Sequence, residues 1–239
     1  MNNMSIMLGK RQLVDSIWKS AGIEGLGTTF PDTERILNNL PVKTSRDEVC
    51  FHINMKRAWE FIFDNVGLPN DLAFLRELNK ICLNGTDMEL GAGQLRTVFV
   101  SIGGTSWIPE LPDRDKVLAK LQQIGQMEDK LEAAIEISCY LSRSQLFIDG
   151  NKRLANLMCN KIMMENDLGI FSVPYNRIPH YMKLLVEFYE TGVSDSLKDF
   201  FRKECLLRNM NPQPQNDIKT MSIFGEISPS SLDEMQKRK

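Results

Sequence analysis

Apolar residues recur at helical spacing through most of this chain of 239 residues, and that periodicity limits its possible folds more than any other feature. Residues 68–85 are a clear case, because leucines lie three positions apart between Asp71, a helix start signal, and Gly85, a stop signal. Comparable patterns occupy residues 49–66, 114–127, 129–147, 154–169 and 178–192. Together they predict an all-α, mainly helical protein.

One interval, residues 95–112, departs from the helical pattern. Its sequence, LRTVFVSIGGTSWIPELP, is rich in β-branched and aromatic residues around Gly103-Gly104. This composition predicts a β-hairpin inserted between helices, with its turn at the two glycines. Because a two-stranded hairpin is marginally stable by itself, we expect it to pack against the helices or to bind something.

Charge and cysteine usage exclude several classes of function. A net charge of −2 favours neither nucleic acid nor anionic membranes, and the longest apolar runs are far too short to span a bilayer. The amino terminus lacks the pattern of a secretory signal, and the five cysteines form no Cys-x-x-Cys pair that would indicate zinc or a disulfide framework. We therefore expect a cytoplasmic protein without a zinc site.

The stretch SQLFIDGNKRLAN, residues 144–156, is the candidate for chemistry. A helix that begins near Asn151 points unpaired backbone amides and the positive end of its dipole at the preceding loop. Gly150 lets the backbone approach a ligand closely, and Lys152 and Arg153 add cationic donors. The motif therefore predicts a site for a phosphate-like anion.

Asp149 stands beside this predicted anion site. Its carboxylate would repel a bare phosphate, but it suits a magnesium ion that lies between the carboxylate and phosphate oxygens. The same residues also fit a purely structural role, since Asp-Gly is a common turn, asparagine a common helix cap and Lys-Arg a common solvated pair. The motif by itself leaves both interpretations open.

The wider sequence resembles the Fic (Fido) family. The family signature is His-x-Phe-x-Asp/Glu-Gly-Asn-Gly/Lys-Arg-x-x-Arg, and residues 145–156 are QLFIDGNKRLAN. Residues 91–112 resemble the segment that leads into the family's flap, and SAGIEG, Ser20 to Gly25, matches the inhibitory pattern Ser/Thr-x-x-x-Glu-Gly/Asn. The three blocks occur in the family's order.

This resemblance implies an all-α Fido fold with a short inserted β-hairpin, the flap, which docks target peptides by adding a strand. It divides the chain into an N-terminal segment with an inhibitory helix (1–45), a Fic core (46–208) and a polar C-terminal extension (209–239). The residues assigned to the flap are Val98, Phe99, Val100, Ser101, Ile102, Gly103 and Gly104.

Family members transfer AMP from ATP to a hydroxyl of a target protein, with a histidine as base and magnesium on the acidic residue. By resemblance, Asp149 would hold Mg²⁺, and Glu24, flanked by Ser20 and Gly25, would be the inhibitory glutamate. The phosphate-binding positions would be Gly150, Asn151, Lys152, Arg153 and Asn156, and the catalytic positions Gln145 and Arg153.

Three positions depart from the pattern of many adenylyltransferases, and one of them, Lys152, replaces a glycine where several other family members also have lysine. Gln145 replaces the histidine, and because an amide cannot accept a proton near neutral pH, a general-base contribution of about 10²–10⁴ in rate would be lost. Asn156 replaces the second arginine, which pairs with the inhibitory glutamate in related proteins, although an asparagine can still hydrogen-bond Glu24. We expect nucleotide binding to survive these changes better than transfer does.

The sequence thus favours an ATP- and magnesium-binding relative of protein adenylyltransferases with impaired transfer. Two alternatives stay open: a non-catalytic module that captures an extended peptide on its flap, and a transferase of a different phosphate-containing group. The expected partners are a nucleotide and an unknown target protein. A homo-oligomer is compatible with the exposed helical faces, whereas nucleic acid and membranes are not expected.

Overall fold

The computed structural model describes residues 3–208, so the predicted C-terminal extension, 209–239, lies outside the described residues. Within that range, two strands, β1 (Ile170–Phe171) and β2 (Leu206–Leu207), accompany helical structure. The α-helices are α1 (Met4–Arg11), α2 (Leu13–Ile23), α3 (Phe30–Leu37), α4 (Arg46–Asp64), α5 (Leu72–Leu83), α6 (Arg114–Gly125), α7 (Lys130–Ser144), α8 (Asn151–Glu165), α9 (Ile178–Thr191) and α10 (Asp195–Glu204). Short 3-10 helices span Glu89–Gly91 and Tyr175–Arg177. The all-α fold class is confirmed.

Local sequence signals place most helix ends. Asp71 caps α5 by accepting a hydrogen bond from the amide of Phe74, and Gly192 ends α9 in the left-handed region at φ 75°. Ser45 and Glu48 form a capping box, so α4 begins at Arg46, ahead of the apolar pattern that predicted it from 49. None of the helices in residues 3–208 is long and apolar enough to cross a membrane.

Helix α8 lies at the centre of the fold. Twelve of its fifteen residues are buried, and it packs along α7 and against α4, α5 and β1. A helix that is covered on nearly all sides loses the usual polar face, which explains the weak amphipathicity of residues 154–165. The consequence for function is that the amino end of α8, with the GNKR sequence, is held rigidly by the core.

The prediction of a β-hairpin within 95–112 is wrong in its strands. The chain does turn at the two glycines, where the amide of Thr105 donates to the carbonyl of Ile102 at 3.4 Å, but neither arm is a strand. The guanidinium of Arg96 lies between the arms and donates to the carbonyls of Val98 and Pro109, so these carbonyls accept from a side chain and not from amides of the opposite arm. The small antiparallel sheet is formed instead by β1 and β2, with Ile170 opposite Leu207.

We expect Gly169→Ala to lower the free energy of unfolding by about 3 kcal/mol, measured by urea denaturation. Gly169 has φ +95°, and an added Cβ would lie 2.2 Å from the carbonyl oxygen of Leu207, so both conformation and space oppose a side chain. Gly125→Ala is the matched control, because nothing lies within 4 Å of its added Cβ at the end of α6. Equal urea midpoints for the two variants would contradict the view that the contact with Leu207 leaves no room for a side chain at position 169.

Candidate functional site

The site is built where the loop 145–150 enters α8. Gly150 is the N-cap with φ +81°, and Asn151 is the first helical residue, so the predicted helix start is confirmed. An added Cβ at Gly150 would lie 3.1 Å from Nδ2 of Asn79. The turn therefore needs glycine, and the free amides of the first turn of α8 face the loop.

The side chain of Asn151 folds back onto the loop that precedes it. Its Oδ1 accepts from the amide of Phe147 at 3.0 Å, while its Nδ2 donates to the carbonyl of Phe147 at 2.8 Å and to Oε1 of Gln145 at 3.0 Å. Asn151 is 5% exposed, so these bonds form in a dry environment. The side-chain amide of Asn151 thus fixes the conformation of the loop 145–150.

Gln145 ends α7 in the left-handed region, at φ 47° and ψ 59°. Its Nε2 donates to the carbonyl of Ser142 at 2.6 Å, and its Oε1 accepts from Asn151, so the amide is fixed at both ends. Neither histidine takes its place: His52 is buried between Thr33 and the carbonyl of Glu48, and His180 contacts the ring of Phe200. Neither imidazole lines the cavity described below.

Arg153 is a buried charge that orients Asp149. Its Nη2 donates to Oδ2 of Asp149 at 2.6 Å and its Nη1 to the carbonyl of Cys82 at 3.2 Å. Burial opposes its charge, but the carboxylates of Asp149 and Glu24 outweigh burial and raise the pKa of Arg153 above its ordinary value. The guanidinium is therefore a permanent cation behind a carboxylate whose side chain is 49% exposed.

Helix α2 brings Glu24 to the same place. Its Oε2 lies 3.0 Å from Nζ of Lys152, and its Oε1 lies 3.8 Å from Nε of Arg153. Gly25 follows in the left-handed region at φ +77°, whereas the hydroxyl of Ser20 donates back to the carbonyl of Ser16 within the helix. The tertiary structure thus pairs Glu24 with the two cations of the GNKR sequence.

Asn156 lies apart from this pair. Its side chain lines a small cavity of about 20 Å³ together with Ser16 and Ser20, and its Oδ1 is buried without a hydrogen-bond partner among the described residues. The hydrogen bond that we considered between Asn156 and Glu24 is not formed. Position 156 is instead covered by α2.

These elements enclose a cavity of about 310 Å³. Glu24, Gln145 and the loop 148–152 form its polar side, and flap residues 100–103 form a second wall. Val98 and Phe99 of the flap are exposed, and Gly104 lies near Val186. Helix α9 adds an apolar wall that the sequence analysis missed, consisting of Met182, Leu185, Val186 and Tyr189.

Tyr189 gives that apolar wall one polar atom. Its hydroxyl is buried and has no hydrogen-bond partner in the part of the chain that the structure describes. Burial, together with the charge of Glu24, raises the pKa of Tyr189, so the phenol stays protonated. The cavity therefore combines an anion end at α8 with an apolar end suited to a flat group.

Two further residues support the site and were also missed. Asn79 of α5 is fully buried, and its Nδ2 donates to the carbonyl of Asp149 at 3.0 Å while its Oδ1 accepts from the amide of Gly93 at 2.8 Å. Arg96 donates from Nε to the carbonyl of Gln145 at 2.6 Å. The available signal was a polar residue on the buried face of a helix in the case of Asn79, whereas Arg96 gave none.

The carboxylates of Asp149 and Glu24 are the groups that can hold a metal ion here. Within residues 3–208 no cluster of three or more His, Cys, Asp or Glu side chains could bind a metal by itself. Mg²⁺ commonly uses only one or two carboxylates and takes its other ligands from phosphates and water. The half-exposed Asp149 fits that kind of magnesium site and not a protein-only cage.

A family model described as Fic/DOC family matches residues 69–163, which include α5 to α7, the whole loop 145–150 and all but the last two residues of α8. Among curated proteins, none matches the chain. Solved structures do, and the first concerns a fragment of Fic-1 from C. elegans, with a TM-score of 0.65, 22% identity, and 82% of this chain and 61% of that chain covered.

Two bacterial structures match in the same way. A Fic family protein from Desulfovibrio desulfuricans G20 has a TM-score of 0.62 at 19% identity, covering 77% of this chain and 57% of that one. A Fic domain containing signaling protein from Bacteroides thetaiotaomicron VPI-5482 has a TM-score of 0.65 at 18% identity, covering 75% and 72%. This chain therefore spans about three fifths of the C. elegans and Desulfovibrio structures. Together with the helical fold and the loop geometry, these matches identify residues 69–163 as a Fic/DOC family domain on a Fido fold.

Proposed function

We propose that the cavity binds ATP with Mg²⁺, and that the chain is a relative of protein adenylyltransferases whose transfer of AMP to a target hydroxyl is impaired. The observation that carries this proposal is the amino end of α8, which opens through Gly150 onto a cavity of about 310 Å³ with a cation, a carboxylate and an apolar wall. Fic family membership supports the class of reaction.

Different residues of the cavity bind different parts of the nucleotide. The free amides of α8 and the ammonium of Lys152 receive phosphate oxygens, because both present N–H donors and positive charge to the cavity. Asp149 would hold the magnesium ion, which would supply positive charge to the phosphates. The α9 wall and flap residues 100–103 cover the nucleobase.

Gln145 is the reason for the proposed impairment. Its amide lies at the cavity, fixed between Ser142 and Asn151, and it cannot take a proton from an incoming hydroxyl. Positioning and electrostatic stabilisation would persist, since they depend on the α8 loop.

Glu24 is proposed to hold the site in a resting state. The Glu24 carboxylate forms an ion pair with Lys152 and lies close to Arg153. A triphosphate therefore has to displace this carboxylate before it can bind both cations. Because the Glu24 and Lys152 side chains are 22% and 27% exposed, solvent only partly screens their attraction. Nucleotide affinity should therefore rise when the carboxylate is removed.

A non-catalytic interaction module is the second candidate. Its support is the flap, where Val98 and Phe99 are 53% and 67% exposed on an arm outside the small sheet. An extended peptide of a target protein can pair with such an arm. Transfer of a different phosphate-containing group is a further variant, which the same anion end would accommodate.

Calorimetric titration with ATP and Mg²⁺ tests the proposal. We expect Lys152→Ala to weaken binding about tenfold, because one charge-assisted phosphate contact is lost, and Glu24→Gln to strengthen it by a similar factor. Asp149→Ala should abolish the magnesium dependence. Lys203→Ala is the control, since Lys203 is 74% exposed and pairs only with Asp199 among the described residues. Absence of binding at millimolar ATP, including in Glu24→Gln, would favour the interaction module.

A further inference from the structure

Residues 103–106, which we call the flap turn, are bound by the carboxylate of Glu190 near the end of α9. Oε1 of Glu190 accepts from the hydroxyl of Thr105 at 2.6 Å and also from the amide of Ser106. Oε2 accepts from the hydroxyl of Ser106 at 2.9 Å. The amide of Trp107 in turn donates to the hydroxyl oxygen of Thr105 at 3.0 Å. One side chain of α9 thus receives both hydroxyls of the turn.

The position of Glu190 does not favour the helix to which it belongs. Helix α9 ends at Thr191, so its last carbonyls and the negative end of its dipole lie close to the Glu190 carboxylate. The hydroxyl of Thr105, followed by the amide and hydroxyl of Ser106, lowers the pKa of Glu190, so the carboxylate is ionised at neutral pH. The flap turn therefore supplies the donors that this carboxylate lacks on its own helix.

A second contact joins the same region of the flap to the end of α9. The guanidinium carbon of Arg143 lies 3.8 Å from the ring centroid of Trp107, the residue after the turn. Arg143 also donates to the carbonyls of Phe188 at 3.2 Å and Tyr189 at 3.3 Å. The flap is thus attached to α9 directly through Glu190 and indirectly through Arg143 of α7.

The two elements that Glu190 joins are two walls of the candidate site. Flap residues 100–103 line one side of the cavity of about 310 Å³, and α9 provides its apolar wall. Gly104 lies next to that wall, because an added Cβ there would be 3.6 Å from Cγ2 of Val186. Glu190 itself does not line the cavity. Its contact with the turn therefore acts on the site through the position of the flap.

The flap depends on anchors at its two ends. Arg96 donates to the carbonyl of Val98 at one end, and Glu190 binds the flap turn at the other. Between them, the backbone of residues 99–101 makes no hydrogen bond within residues 3–208. If the anchor at the turn is lost, little else in the backbone keeps residues 100–103 at a fixed distance from α9.

We propose that Glu190 is a positioning residue of the site, whose carboxylate holds the flap turn to α9 and so keeps residues 100–103 opposite the apolar wall, at the separation that a bound nucleotide requires. This role rests on the proposed function, which assigns a nucleotide to the cavity. Loss of the carboxylate leaves both walls folded but lets the flap move away from α9. The nucleotide then loses part of its cover, and a target segment on the flap loses its fixed position relative to the phosphates.

Glu190→Ala tests the contact in the absence of any ligand. We expect the amides of Ser106 and Trp107 to exchange with solvent about tenfold faster in this variant, measured by NMR, because the carboxylate that orders their acceptors is gone. The melting temperature should hardly change, since Glu190 is exposed. Glu190→Gln keeps one acceptor oxygen and should give an intermediate exchange rate. Glu187→Ala is the matched control, because Glu187 is also exposed on α9 and the hydroxyls of the turn bind Glu190 instead.

Calorimetric titration with ATP and Mg²⁺ tests the consequence for the site. The affinity of Glu190→Ala is expected to be about fivefold below that of the wild-type chain, because a mobile flap has to be ordered when the nucleotide binds. Glu187→Ala should bind like the wild-type chain, and Glu190→Gln should lie between. Thr105→Val removes the same contact from the side of the flap, so its effect should not add in full to that of Glu190→Ala.

The role of Glu190 and the proposed function fail in different measurements. Unchanged exchange at Ser106 and Trp107 in Glu190→Ala overturns the role of Glu190, whatever the chain binds. Faster exchange with unchanged ATP affinity also overturns it, because the flap turn would then have no influence on the site. A wild-type chain that does not bind ATP at millimolar concentration overturns the proposed function, and the nucleotide-positioning role falls with it.

Discussion

Gln145→His is expected to raise transfer of label from α-labelled ATP to protein by about 10²–10⁴-fold, the usual contribution of a general base. The backbone at this position has φ 47° and ψ 59°, a region that histidine enters more readily than most residues. One imidazole N–H can donate to the carbonyl of Ser142, where Nε2 of the glutamine does so now. The other ring nitrogen then carries no proton and can accept that of a target hydroxyl at the cavity.

The effect of Gln145→His depends on Glu24. While the Glu24 carboxylate is paired with Lys152, this lysine is not available to a triphosphate. We therefore expect less label to be transferred by the single variant than by the double variant Gln145→His with Glu24→Ala. Gln145→Asn is the matched control, because it keeps an amide and supplies no base. Incorporation is measured on the chain itself and on a cell lysate.

Comparison of α- and γ-labelled ATP identifies the transferred group. Label from the α-position alone, in the histidine variants, would mean that the site is sound and lacks only its base. Label from the γ-position would instead indicate phosphate transfer, and adenylyl transfer would be given up. If every variant that binds ATP stays silent, the interaction module becomes the better account of this domain.

Arg96→Met is expected to lower the free energy of unfolding by about 3 kcal/mol and the melting temperature by about 6–12 °C. Arg96 is 5% exposed, and its guanidinium donates to carbonyls on both arms of the 95–112 segment and to that of Gln145. Burial lowers the pKa of Arg96, because it disfavours the charged form, and the carbonyl acceptors offset part of that cost. Methionine fills the space of the stem but leaves the carbonyls without their donor.

Hydrogen exchange locates the effect of Arg96→Met. Amides in 97–111 should approach the exchange rate of unprotected amides in the variant, while those of α5 and α8 should lose only the protection that corresponds to the change in global stability. Arg35→Met is the control, because Arg35 is exposed and chelates a single carbonyl, that of Pro41, so its loss should change stability by less than about 0.5 kcal/mol. Unchanged exchange in 97–111 would mean that packing, and not Arg96, holds the segment.

Much of the fold was predictable because its signals are local. Asp71 and Gly192 mark helix ends through hydrogen bonds and backbone conformations that involve only a few neighbouring residues. The hairpin prediction was wrong for the opposite reason: the residues of 95–112 favour strands, but the side chain of Arg96 offers their backbone carbonyls another donor. Strand propensity is a property of single residues and does not include competition for the hydrogen bonds of the backbone.

The candidate site likewise combines features that are local in the sequence with contacts between distant residues. By itself the sequence determined the helical class, the turn at Gly150 and the start of α8 at Asn151, since each follows from the conformations and donors of consecutive residues. Only the tertiary structure decided that Glu24 pairs with Lys152, that Asn79 holds the loop and that α9 supplies the apolar wall. Those contacts join residues far apart in the chain, and which of them form depends on how the helices pack, which no local pattern of residues encodes.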